Sequence, residues 1–291
     1  MINTTTYKDR PAIAVECDWF TALFLQEDGA KLASFKMKNG DEILAQAPGE
    51  KYLRLGIDSN YVECECSAFD DIFPTIDVCV VNGMDYIDHG EVCRREHEYV
   101  MEEDSVTFKC ELKELNISYL KTVYIEDKTL CIRYNIMNHN SFPFPFVWAA
   151  HMMFVGEKGA YVVSDYSENA SKEFMFGRPV SSEKAHILEE YGTNKEYKYY
   201  FKEDKAPMKC GIVYAKTGKQ ISVEFNNDVV KYLGVWMNPG DLNGMYNLAL
   251  EPCTALYDSP IKAEETNTAS YIEAQSNVEF VLKLKCDVIG D

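Results

Sequence analysis

Apolar and polar residues alternate one by one through residues 106–112 (VTFKCEL), 130–136 (LCIRYNI) and 278–284 (VEFVLKL). A period of two puts the apolar side chains on one face, so each segment predicts a half-buried strand of an antiparallel sheet. Asn39-Gly40-Asp41 and Glu126-Asp127-Lys128 carry the turn chemistry of hairpins between such runs. Strand signals recur at short intervals over most of the length. They predict an all-β fold, a large antiparallel β-sandwich with few short helices. Residues 182–192, opened by serine and closed by glycine, predict one short helix. The Lys-, Glu- and Tyr-rich stretch 194–201 reads as a solvated loop or edge. No Pro/Gly/Ser-rich linker divides the chain, so residues 1–291 read as a single domain.

One segment breaks the alternation. Residues 142–155 (FPFPFVWAAHMMFV) are apolar throughout except for His151. The run is too short and too proline-rich to span a membrane. It predicts a core strand, and a titratable group in such a strand needs a partner that offsets its burial. Histidine also titrates nearest neutrality, which suits proton transfer. His151 is thus either a core imidazole bonded to a backbone carbonyl or a reactive group at the floor of a pocket.

Composition narrows the possible partners. With 46% hydrophobic and 13% aromatic residues, a chain of 291 residues can bury a large core. A net charge of −18 disfavours nucleic acid and anionic membranes, whose phosphates need Lys and Arg to meet them. The ten cysteines are scattered, and the first residues lack an apolar signal core. Reduced thiols and a cytoplasmic location are expected. Cys64-Glu65-Cys66 has no second half at zinc spacing, so no metal site and no cofactor are expected.

The remaining chemistry sits in a few segments. His89 precedes Gly90 in a loop, where an imidazole either faces a pocket or bonds to Asp88. His139 lies in turn chemistry, His186 on the predicted helix, and His97 on an expected exposed strand face. Glu251 ends an apolar strand before Pro252, which keeps it extended. A carboxylate so held is fixed and partly desolvated, as a general base requires; the alternative is a strand-end ion pair. Trp236 offers either core filler or a flat face for a sugar ring. Asp70 and Asp71 are adjacent, so on extended backbone they point to opposite faces and make no dyad. Either one could bind ligand hydroxyls, or both could be solvated.

Taken in order, several segments resemble the aldose 1-epimerase (galactose mutarotase-like) family. They are 23–35 with its central Gly29, Asn39–Leu44, Phe69-Asp70-Asp71-Ile72-Phe73-Pro74, His89-Gly90, Trp148-Ala149-Ala150-His151, Leu233-Gly234-Val235-Trp236 and Leu250-Glu251-Pro252. The chain departs from the family at Met152-Met153, where His-Pro-aromatic is common, and has no counterpart of its early Asn-Arg pair. The resemblance implies a supersandwich fold and interconversion of the α and β anomers of an unphosphorylated aldose. It implies Glu251 as base, His151 as acid and His89 as an orienting group. Asp70 or Asp71 and Trp236 would grip the sugar, with Arg94 as a further contact, and the protein would be a monomer or homodimer. Three rivals remain: a noncatalytic carbohydrate-binding protein, a glycoside hydrolase pairing Glu251 with Asp70 or Asp71, and a sugar-phosphate epimerase using Arg94 and Arg95.

Overall fold

The alternating segments become strands of two large antiparallel sheets in the computed structural model, which describes residues 1–167, 169–203 and 206–288. Among the described residues, one sheet has ten strands. In spatial order they are Ile2–Tyr7, Arg10–Glu16, Phe20–Leu25, Lys31–Met37, Phe69–Ile72, Ala149–Val155, Tyr246–Cys253, Tyr232–Pro239, Tyr197–Phe201 and Lys172–Phe176. The other has eight: Tyr161–Ser164, Lys209–Tyr214, Lys219–Phe225, Ser276–Val288, Thr129–Asn138, Ile117–Glu126, Ser105–Leu112 and Glu98–Met101. The three alternating runs all lie in this second sheet, and the hairpin at Asp127 joins Ile117–Glu126 to Thr129–Asn138. At Asn39-Gly40 the chain also turns, with the Met37 amide donating to the Asp41 carbonyl at 2.8 Å.

The two faces of the ten-stranded sheet explain why residues 142–155 do not alternate. Met152, Phe154, Leu250 and Val235 pack with Phe108, Ile132 and Leu282 of the facing sheet. Ala149, Met153, Ala249, Cys253, Tyr200 and Trp236 point the other way and form a second cluster with Tyr61, Cys66 and Leu256 from overlying segments. A strand covered on both faces has no solvent side to mark with polar residues. Each large apolar side chain so buried contributes about 1.5–3 kcal/mol.

Three expectations change. Only Ser182–Lys184 of the predicted helix forms a single 3₁₀ turn. The following residues pair as extended chain, the Val162 amide donating to His186 and the Leu188 amide to Ala160. Of the stretch 194–201 only the first three residues are loop, with Lys195 exposed; Tyr197–Phe201 is an inner strand, buried throughout. Its lysine misled, because Lys198 is buried between two carboxylates. His97 is buried, with Nδ1 3.1 Å from the Arg95 carbonyl and its ring edge-on to Tyr119. The α-helix among the described residues is Pro260–Glu265, capped by the Ser259 side chain and started by proline. No described helix is long and apolar enough to cross a membrane.

Candidate active site

Strand register builds the site as one row across five neighbouring strands. Asp70 pairs with His151. The pairs Ala149–Cys253 and Met152–Leu250 put His151 opposite Glu251. Glu251 pairs with Gly234, and Gly234 with Tyr200. Residues paired across antiparallel strands share a face, so all five lie on the face turned away from the second sheet. Gly234 has a steric reason: a Cβ there would come within 3.0 Å of the Tyr200 ring and 3.3 Å of the Glu251 Cβ. Glycine lets the carboxylate and the phenol close over it.

Above this row is a cavity of about 300 Å³, lined by His151, His89, Glu251, Trp236, Lys198 and Tyr61. Asp258, Glu196, Asp77, Val62, Leu242 and Phe176 complete much of its wall. Its volume is at the lower end of ligand pockets, about 300–1,000 Å³. The Nε2 of His151 is 3.8 Å from Oε1 of Glu251. On its other oxygen Glu251 meets Lys198 Nζ at 2.8 Å, and Lys198 also donates to Asp258 at 2.8 Å. The Tyr200 hydroxyl donates to the same Asp258 oxygen at 2.6 Å. The contact from Lys198 balances charge, yet neither Glu251 oxygen accepts a well-aligned hydrogen bond among the described residues. A buried carboxylate in that condition is poised to accept from a ligand hydroxyl.

Burial lifts the Glu251 carboxyl above the ordinary range, and Lys198 opposes that rise. Burial alone would lower the Lys198 ammonium; Asp258 and Glu251 overcome it and hold Lys198 charged. His151 is pushed well below the usual imidazole value by burial, then by His89, Lys198 and Lys31. Two buried titratable groups shifted in this way and facing one cavity are candidates for acid/base work.

His89 enters from a loop. It has φ of 55°, its Nδ1 lies 2.9 Å from Asp88 Oδ1, and its ring stacks on Tyr61 at 3.8 Å and 2°. His89 thus both lines the cavity and bonds to Asp88. Gly90 is needed beside it, since a Cβ there would lie 2.0 Å from the Phe73 carbonyl oxygen. Trp236 lines the cavity and donates Nε1–H to Glu196 at 2.9 Å.

Three expected ligand contacts lie elsewhere. Asp71 points between the sheets, ion-paired with Lys121 at 2.8 Å and accepting from Tyr134 at 2.8 Å. Asp70 is on the site's face but behind its wall, paired with Lys31 at 2.6 Å and accepting from Tyr61 at 2.8 Å. The two aspartates do face opposite ways, and both are neutralised by buried lysines rather than solvated. Arg94 is buried outside the cavity and donates to the carbonyls of Gly56, Ile57, Ser59, Asp88 and Gly90. It ties the loop before Tyr61 to the loop carrying His89. Sequence reading missed Tyr61, Lys198, Asp258 and Glu196. Lys198 was legible in principle, since Tyr197-Lys198-Tyr199-Tyr200-Phe201 sets it between two aromatic residues in an otherwise aromatic run.

No protein-family model and no curated protein matches the chain. Solved structures do. A candidate aldose 1-epimerase from Klebsiella pneumoniae superposes with a TM-score of 0.78 at 13% identity, over 97% of this chain and 81% of that one. A galactose mutarotase-like protein from Clostridium acetobutylicum gives 0.69 at 15% identity, over 99% of both chains. An aldose epimerase homologue from C. elegans gives 0.62 at 11%, over 99% of this chain and all of that one. At such identities the likeness is one of fold. The chain has the galactose mutarotase-like β-sandwich fold, as the ordered motifs implied.

Proposed function

We propose that the chain is an aldose 1-epimerase acting on an unphosphorylated sugar. The observation that carries this reading is the buried Glu251 carboxylate facing His151 Nε2 across the floor of a sugar-sized cavity. Anomer exchange needs a proton taken from the C1 hydroxyl and one given to the ring oxygen. Glu251 takes the first, and His151 in its doubly protonated, imidazolium form gives the second from Nε2. The C1–ring oxygen bond breaks, its electron pair goes to the ring oxygen, and C1 becomes the open-chain aldehyde. Rotation about C1–C2 presents the other face of the carbonyl. His151 then recovers its proton from the ring hydroxyl as that oxygen attacks C1, and Glu251 returns its proton to O1. Protons and electrons balance without an outside reactant.

Lys198 keeps Glu251 available as a base by favouring its charged form, and Asp258 and Tyr200 hold Lys198 in place. His89 is placed to orient the sugar near C1. Trp236 gives one ring face an apolar wall, held flat by its bond to Glu196. The cavity wall carries four carboxylates, Asp77, Glu196, Glu251 and Asp258, against one ammonium, Lys198. That balance supports a neutral sugar over a sugar phosphate, and Arg94 is not there to alter it. The test is whether the protein speeds the optical-rotation relaxation of a freshly dissolved aldose.

A further inference from the structure

Tyr61 carries one hydroxyl proton and has two neighbours for it. Its oxygen is 2.8 Å from Asp70 Oδ2 and 3.2 Å from His151 Nδ1. Asp70 is ion-paired with Lys31, whose Nζ lies 2.6 Å from the same oxygen and also donates to the Glu65 carbonyl. A carboxylate can only accept. The Tyr61 proton therefore goes to Asp70, and the Tyr61 oxygen must receive its bond from His151. All four side chains are buried, so water does not compete freely for these positions.

We propose that Tyr61, with Asp70 and Lys31 behind it, is a positioning device that keeps the proton of neutral His151 on Nδ1 and leaves Nε2 as the nitrogen that exchanges protons in the cavity. The opposite tautomer would set two acceptors, Nδ1 and the Asp70 carboxylate, against a single Tyr61 proton. It would also aim an N–H at Glu251 and leave no lone pair to take the ring-hydroxyl proton back. Tautomer is set in this way wherever the second ring nitrogen has a committed partner. Tyr61 also stacks on His89, so one residue braces both imidazoles.

The inference rests on the epimerase reading only for its kinetic arm; the tautomer is read independently of activity. The protein is labelled with ¹⁵N-histidine, and the His151 signals are assigned by their loss in His151→Gln. Wild type is expected to show a protonated Nδ1 and an unprotonated Nε2 at neutral pH. Tyr61→Phe keeps the stack on His89 and the Lys31–Asp70 pair but removes the hydroxyl. It is expected to give a mixture of tautomers, with kcat down about 10- to 100-fold, part of the roughly 100- to 10,000-fold that a positioned proton donor contributes, and KM little changed. Tyr61→Leu should lose the stack as well and raise KM. A wild-type spectrum with the proton on Nε2, or a Tyr61→Phe spectrum identical to wild type, overturns the proposal. If no aldose is turned over but the spectra behave as expected, the positioning role stands and the epimerase reading fails.

Discussion

His151 and Glu251 stand opposite each other on adjacent antiparallel strands, with the imidazole Nε2 3.8 Å from the carboxylate Oε1. That gap is too long for a direct hydrogen bond and leaves both groups open to a sugar. Both are held by other side chains of the wall, His151 by Tyr61 and Glu251 by Lys198. The wall thus fixes geometry while the facing atoms stay free, which is the arrangement proton transfer in a fixed orientation requires.

The pH dependence should reflect a pair that holds one proton. Burial raises Glu251 and lowers His151, the latter helped by His89, Lys198 and Lys31. The form with two protons is inactive for want of a base, and the form with none for want of an acid. We expect a bell-shaped kcat/KM profile with its acid limb above the ordinary glutamate value and its alkaline limb below 6.5. Initial rates corrected for spontaneous relaxation check this. A profile still rising through pH 8 goes against it.

Charge at the cavity should select the substrate. An aldose and its phosphate ester, compared at equal concentration, should differ sharply, with acceleration only for the unesterified sugar. Arg94→Lys is expected to loosen the Tyr61 and His89 loops and weaken turnover of the neutral sugar, without a change in selectivity. A faster rate with the phosphate would contradict the placement of Arg94 outside the site.

The Asp71–Lys121 pair is a matter of stability. Both side chains are fully buried. Lys121→Met should cost about 3–5 kcal/mol in urea unfolding, because it leaves an unpaired carboxylate in the interior. Adding Asp71→Leu should recover much of the loss. If Lys121→Met proves nearly neutral, the pair is not closed to water.

His97 should make folding stability depend on pH. Burial depresses its imidazole to about 4, against an ordinary value of 6.5. Between those values the unfolded chain binds a proton that the folded one refuses, so stability is complete above 6.5 and falls as pH drops toward 4. The full difference is roughly 3 kcal/mol. Urea unfolding of wild type and His97→Gln at pH 7 and pH 4.5 isolates it; the slope should be shallower in the variant.

What the chain disclosed by itself follows from where each signal is local. Period-two strands, the Asp127 hairpin and the doubly covered 149–155 strand depend on near neighbours and side-chain character, and they are where the sequence puts them. His89, His151, Glu251 and Trp236 were legible for the same reason, and the fold brings them to one cavity. Lys198 was misread because its partners Glu251 and Asp258 lie more than fifty residues away, so its charge suggested solvent. Asp70 and Asp71 failed as ligand contacts on the same ground, since Lys31 and Lys121 reach them from 39 and 50 residues away in the sequence. Arg94 has one carboxylate in reach, Asp88 at 3.8 Å, but its hydrogen-bond partners are backbone carbonyls, which no sequence pattern marks.

Polarimetry of freshly dissolved α-glucose and α-galactose, with wild type beside Glu251→Gln, tests the central claim most directly. Glu251→Gln leaves Lys198 paired with Asp258, so the fold should hold, as circular dichroism can verify. The account predicts that wild type speeds relaxation of at least one sugar and that the variant loses about 100- to 10,000-fold of that acceleration. Equal rates with folded wild type and folded variant would contradict it.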